Sequence, residues 1–251
     1  DPNEFLIKDI NKDKLYEFLR EMEFNRLLSQ AISFYGESSD ENFSTEIKSK
    51  KKSKIDIKAY KSILKSKELD ELIKTLNEKS IIAVDTETSS LNAQEANLIG
   101  ISLSYAANIS FYIPLGHKKI KGLKKESVLK KLKIILEDTS IKKVGQNLKY
   151  DFIVLKNYGI ELNPVEDTML LSYTLDAGNN RHNMDTLSEI HLGHKTISYK
   201  DVVGTGKKQL NFSEVDLKAA TEYAAEDADV TLRLYDILSD RIAEEKLDKI
   251  Y

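Results

Sequence analysis

The 251 residues predict an α/β domain, a mixed β-sheet covered by helices, preceded by a short helical tail and a polar linker. Three observations carry that expectation. The run "IIAVDTET" (81–88) is followed by "NLIGISLSYAANISFYIPLG" (97–116), whose two apolar stretches flank a tight turn near Ala107-Asn108, as a strand and a hairpin would. One further short strand, "IKKVGQN" (141–147), is set among segments of helical period. Mostly helical sequence then fills the C-terminal half, and this order suits a sheet with helical cover.

From the N-terminus, residues 9–31 place Leu15, Phe18, Leu19, Met22, Leu27 and Leu28 at helical spacing and predict one or two amphipathic helices. The stretch 35–54 is polar, Ser-rich and ends in the basic run "KSKKKSK", which reads as a solvated linker rather than a phosphate contact. The expected division is a tail over 1–34, a linker over 35–58 and the α/β domain over 59–251. Within that domain "SKELDELIKTLNEKS" (66–80) is a helix with Ser66 placed to cap it. "ESVLKKLKIILED" (126–138) and "LKYDFIVLKNYG" (148–159) are helices, as are 167–176, 183–192 and a long stretch from about Ser213 to Lys246.

Composition narrows the chemistry. Apolar residues make up 41 % and charged residues 31 %, with Lys+Arg 38 against Asp+Glu 41, so the net charge is −3. A globular core is expected, with no global positive field, and any nucleic-acid contact must rest on a local patch. No run reaches the roughly 18 apolar residues that a membrane span needs. The first residues, "DPNEFLIKDI", have neither a basic leader nor an apolar signal core, and the missing initiator Met suggests a piece of something longer. With no cysteine, any metal must be held by oxygen or imidazole, which favours magnesium or manganese. The four histidines, His117, His182, His191 and His194, suggest no common site, and "GTGKK" (204–208) lacks the spacing of a nucleotide loop.

The candidate chemistry lies in carboxylates. Residues i and i+2 of a strand share a face, so Asp85 and Glu87 project together at the carboxyl end of the first core strand while Thr86 points away. A solvated turn pair explains "DTET" equally well. In "YAAEDADVTLRLY", Tyr223 and Asp227 share a helical face at i, i+4, with Glu226 and Asp229 expected on exposed faces. Asp151, in "VGQNLKYDF", lies in a first helical turn, where the helix dipole alone could account for it. Taken together, four carboxylates converging on one site could hold two divalent ions about 3.5–4 Å apart, the clamp for in-line phosphoryl displacement. One ion would acidify and aim a water, and the other would stabilise the leaving 3′ oxygen. Tyr223, whose phenol is a poor base at neutral pH, would position that water.

At these residues the sequence resembles the 3′–5′ proofreading exonuclease domain of bacterial family A DNA polymerases, the DNA polymerase I group. The resemblance covers roughly 59–246 through "VDTETSSL", "VGQNLKYD", "NYGIEL", "DTMLLSYTLDAG", "RHNMDTLSE", "HKTISYKDVVGTGKKQL" and "YAAEDADVTL". It implies a ribonuclease-H-like fold in the branch with Tyr before the last Asp. By implication Asp85, Glu87, Asp151 and Asp227 bind two Mg2+ ions, or Mn2+, and Tyr223 helps place the water. Leu91 and Tyr199 would pack on the terminal bases, Tyr199 standing where the family has Phe. Gln146, Asn147, Tyr150 and Arg181 would lie near the 3′ end and its phosphates. The implied partners are a single-stranded or frayed DNA 3′ end and a polymerase domain of the same parent chain, in a cytoplasmic, nucleoid-associated monomer. Residues 1 to about 34 resemble the tail of the preceding 5′-nuclease domain, without that nuclease's acidic cluster. The alternatives are RNA 3′ trimming of the ribonuclease D kind and a spacer or binding module without catalysis.

Overall fold

A computed structural model describes residues 10–22, 24–36 and 54–251. The chain divides into two compact units, Asp1–Lys51 and Lys52–Tyr251. In the first, the amphipathic tail forms two helices, α1 (Lys12–Glu21) and α2 (Asn25–Tyr35). The Asn11 side chain caps α1 by accepting from the Lys14 N–H at 3.0 Å. Tyr16 is buried and donates its hydroxyl to the Gly36 carbonyl at 2.6 Å, which fastens the end of α2 to α1. Residues 37–53 of the expected linker lie outside the described residues.

The second unit holds a six-stranded sheet in the order β1-β4-β3-β2-β5-β6. Its strands are β1 (Lys61–Ser62), β2 (Ile81–Thr88), β3 (Leu98–Ala106), β4 (Ile109–Pro114), β5 (Lys142–Gly145) and β6 (Val165–Asp167). β2 is central, antiparallel to β3 and parallel to β5. The hairpin between β3 and β4 turns at Asn108, whose φ of 63° is the left-handed conformation that asparagine tolerates. β1 and β6, two and three residues long, escaped the sequence patterns because no alternation is visible over so few positions.

Helices α3 (Ser66–Leu76), α4 (Lys125–Leu136) and α5 (Lys149–Asn157) cover one face. Their leucines and isoleucines enclose Ile82 and Val84 of β2. Ser66 is the first residue of α3 rather than its cap. Glu68 serves instead, its carboxylate accepting the N–H groups of Leu64 and Lys65, both at 3.1 Å. The other face takes α6 (Thr168–Asp176), α7 (Met184–Leu192), the short α8 (Tyr199–Val203) and α9 (Leu217–Glu244). Ala83 packs with Ala228 and Leu232 of α9, so the even positions of β2 look toward α5 and the odd ones toward α9. That alternation aims the side chains at 85 and 87.

Residues 54–59 are tied to the hairpin. The Asn108 side chain accepts the Asp56 N–H at 2.8 Å and donates to the Lys54 carbonyl at 3.0 Å. Among the described residues no helix is long and apolar enough to cross a membrane.

Candidate active site

β2 outruns its neighbour. Its pairing with β5 ends at Ala83–Val144, whereas its pairing with β3 continues to Thr88. Residues 85–88 therefore have no strand on the β5 side, and the Thr86 N–H that a longer β5 would engage needs another acceptor. Asp151, in the first turn of α5, supplies it. Its Oδ1 accepts the Thr86 N–H at 2.9 Å and the Thr86 hydroxyl.

On the opposite face Asp85 and Glu87 meet Asp227 of α9. Each of the three offers one oxygen, and these oxygens lie within 4.8 Å of one another. Glu87, Asp151 and Asp227 are buried and Asp85 is half-buried. Burial raises the Asp85 carboxyl to about 6, against the opposing bond from Thr86. Burial first, and then the Asp85, Asp227 and Asp151 charges, hold Glu87 well above the usual carboxylate range. Asp227 is pushed up by burial and by Asp85, and Asp151 by burial and Asp85 in opposition to its bonds with Thr86. Among the described residues no Lys or Arg forms an ion pair with any of the four.

The structure therefore brings three carboxylates together on one face, with Asp151 outside that group and acting electrostatically with Asp85 and Glu87. Asp151 spends one oxygen on Thr86. Ser102, paired with Asp85 across β3, adds a buried hydroxyl with no hydrogen-bond partner among the described residues. An all-oxygen donor set, mutual repulsion without a cationic neighbour and an orphaned hydroxyl beside it fit a hard divalent cation.

Tyr223 lies one helical turn before Asp227 on α9 and within its electrostatic reach, and burial, followed by the charges of Asp227, Glu87 and Asp85, drives its phenol pKa upward. It is a hydrogen-bonding group and not a base. Glu226 and Asp229, expected on exposed faces, are both fully buried. Glu226 accepts from the Ile197 N–H at 2.6 Å and pairs with His194 Nε2 at 2.8 Å. Asp229 accepts from the Tyr60 hydroxyl at 2.8 Å, the Asn108 N–H at 3.0 Å and Arg233 Nε at 3.1 Å. The expectation failed because α9 is enclosed on nearly every side, so that helical spacing no longer separates wet from dry faces.

Around the carboxylates the other candidates take distinct places. Leu91 is 98 % exposed. Tyr199 is exposed and stacks on Phe212 with centroids 6.2 Å apart, its edge toward Tyr223 at 6.0 Å. Phe212 is the buried floor of this platform, and helical periodicity could not have identified it because it sits in a single 3₁₀ turn. Tyr150 bonds through its hydroxyl to Thr88 and to the Ser90 carbonyl, which ties α5 to the segment before Leu91. Gln146 donates to the His182 carbonyl at 2.7 Å, beside the exposed Arg181. Asn147 is exposed, and its backbone N–H and that of Leu148 are held by Asp167 at 3.0 and 2.9 Å.

Behind Glu87 lies a further layer. Gly100 is its cross-strand partner, and a Cβ there would come within 2.1 Å of the Tyr112 hydroxyl, so only glycine lets that ring pass. Tyr112 Oη is 2.7 Å from His117 Nε2, and both rings pack edge-on or tilted against Phe212.

The profile of the 3′–5′ exonuclease family matches residues 60–243. DNA polymerase I of Rhizobium leguminosarum is 45 % identical over 216 residues, covering 78 % of this chain and 21 % of that protein. DNA polymerase I of Pseudomonas aeruginosa is 39 % identical over 246 residues, covering 92 % and 26 %. The chain thus spans about a fifth to a quarter of the length of these relatives. Among solved structures, Brucella melitensis NrnC with bound Mg2+ superposes with a TM-score of 0.56 and 23 % identity, over 76 % of this chain and 84 % of that one. The last is a likeness of fold.

Proposed function

This chain belongs to the 3′–5′ exonuclease family found in DNA polymerase I, and from that premise we propose that it removes nucleotides from DNA 3′ ends with Asp85, Glu87, Asp151 and Asp227 as its metal-binding residues. One observation carries the assignment of residues: the oxygens of Asp85, Glu87 and Asp227 gather within 4.8 Å at the open end of β2. When bound, two divalent ions, with magnesium preferred and manganese accepted, would supply a Lewis acid for the scissile phosphate, an acidified water and a counter-charge for the leaving 3′ oxygen. A nuclease of the same fold carrying Mg2+ supports the choice of ion.

The chain's own groups do the rest. Asp85 and Glu87 are presented by a rigid central strand and Asp227 by a helix packed on it through Ala83 and Ala228. Asp151 is oriented by Thr86, which engages one of its oxygens, and its other oxygen would be the one to hold an ion. Tyr223, anchored on Asp227, holds the attacking water by its hydroxyl. Leu91 wedges against the terminal bases and Tyr199 stacks on them from the Phe212 floor. Gln146, Asn147, Tyr150 and Arg181 engage the terminal sugar and phosphates. In the parent protein a polymerase domain would deliver the frayed single strand, in the cytoplasm, from a monomer.

With Mg2+ present, the chain should release mononucleotides from a 5′-labelled DNA single strand, and EDTA should stop it. Asp85→Ala/Glu87→Ala should lower the rate by about a thousandfold or more. A double variant that cuts as fast as the parent would sink the assignment. Faster trimming of a matched RNA strand would favour the ribonuclease D type of activity.

A further inference from the structure

A site built of carboxylates in a chain of net charge −3 repels the polyanion it must hold, so positive charge has to border it. The connection between β4 and α4 supplies it. Between Leu115 and Lys125 it has five lysines, at 118, 119, 121, 124 and 125, and no acid. β4 is antiparallel to β3, which is antiparallel to β2, so this loop leaves the sheet at the same edge as Asp85 and Glu87.

The loop stands on the aromatic platform. His117 packs on Phe212 with centroids 5.8 Å apart, and the next residue donates its backbone N–H to the Ser213 carbonyl at 2.8 Å. Its first turn is pinned by the Leu115 and Gly116 N–H groups on the Ile99 carbonyl, at 2.7 and 2.8 Å. A Cβ on Gly122 would lie 2.6 Å from the Pro114 carbonyl oxygen, so close approach of backbone holds the turn. Lys125 donates to the Leu98 carbonyl at 2.8 Å, at the end of the loop that bears Leu91.

Two lysines are thereby engaged, since Lys118 also pairs with Glu214 at 3.0 Å. Lys119, Lys121 and Lys124 are exposed and form no ion pair among the described residues. Three exposed ammonium groups, of which Lys119 is also within electrostatic reach of Glu214, on a pinned base beside a stacking platform are a phosphate-tracking arrangement.

We propose that the 115–124 loop is a phosphate-binding shoulder, on which Lys119, Lys121 and Lys124 hold the backbone of a DNA single strand upstream of the terminal nucleotides bound at Asp85 and Glu87. This rests on the exonuclease reading of the site. The lysines add affinity for longer strands and take no part in hydrolysis.

The test compares 5′-fluorescein dT12 and dT3 by fluorescence anisotropy in EDTA over a series of salt concentrations. K119A/K121A/K124A should weaken dT12 binding about tenfold and reduce the slope of log K against log salt by about 2, from roughly 0.7 per phosphate contact on a single strand. Binding of dT3 should stay within about twofold, and K119R/K121R/K124R should restore dT12 binding. A control that removes as many lysines from α3 and the residue before it, K65A/K67A/K74A, should leave dT12 binding near that of the parent. The proposal is overturned if the loop variant binds dT12 like the parent, if dT3 weakens equally, or if the α3 control loses as much. Failure of the parent to bind dT12 overturns it too. Release of nucleotides from dT3 with Mg2+ scores the exonuclease reading separately, because dT3 does not reach the shoulder.

Discussion

Asp227 and Asp229 are two residues apart on α9 and both are buried, yet their surroundings are opposite. Asp229 collects the Tyr60 hydroxyl, the Asn108 N–H and the Arg233 guanidinium. Asp227 faces Asp85 and Glu87, and among the described residues the Tyr223 hydroxyl is the group that acts in its favour. A buried carboxylate with a full set of donors is a structural clasp, here joining α9 to the hairpin and to the start of the domain. A buried carboxylate among other carboxylates is a ligand awaiting a cation. Glu226, between them, belongs with the first kind through Ile197 and His194.

The contrast breaks most visibly at the clasp. Asp229→Ala removes an acceptor that three donors share, two of them buried, and should destabilise the domain by about 3–5 kcal/mol in urea melts. A loss below about 1 kcal/mol would mean that the clasp is no different from the ligand site.

The opposite sign is expected at the site. The folded chain holds the Asp85 proton more tightly than the unfolded chain does, since burial raises that carboxyl to about 6. Stability therefore falls as pH rises between about 4 and 6, and the deficit is full above that window. Asp85→Asn should be more stable than the parent by about 1–2 kcal/mol at pH 7.5, with no advantage at pH 4, in metal-free thermal melts. Magnesium should raise the Tm of the parent by more than that of the variant. An advantage that does not change with pH would show that the carboxylate is not strained.

The smallest effect concerns the hydroxyl between the two regimes. Tyr223→Phe should leave the fold intact and lower kcat about tenfold, or about 1.4 kcal/mol, with KM within about twofold. A shift in KM alone would assign Tyr223 to strand binding.

Several of these features were legible in residue order. Period-two alternation put Asp85 and Glu87 on one face, and the structure agrees because Ile82 and Val84 enter the core opposite them. The hairpin turn at Asn108 and the helices that follow stood where the patterns placed them. The exposure of Glu226 and Asp229 was misjudged, because their partners Ile197, His194, Tyr60 and Asn108 come from segments 29 to 169 residues away. Phe212 under Tyr199 and Gly100 under Tyr112 were invisible for the same reason.

By itself, then, the sequence determined the local geometry: which strand carries two acids, which helices carry the others, and the resemblance that named the chemistry. Tertiary structure alone decided which buried acids are paired and which are left to repel, that Asp151 takes up the Thr86 N–H where β5 has ended, and that a lysine loop shares the edge of Asp85 and Glu87. The division has a physical cause. Backbone periodicity is set by neighbours a few residues apart, whereas the charge state of a buried group depends on every donor and acceptor the fold brings within reach.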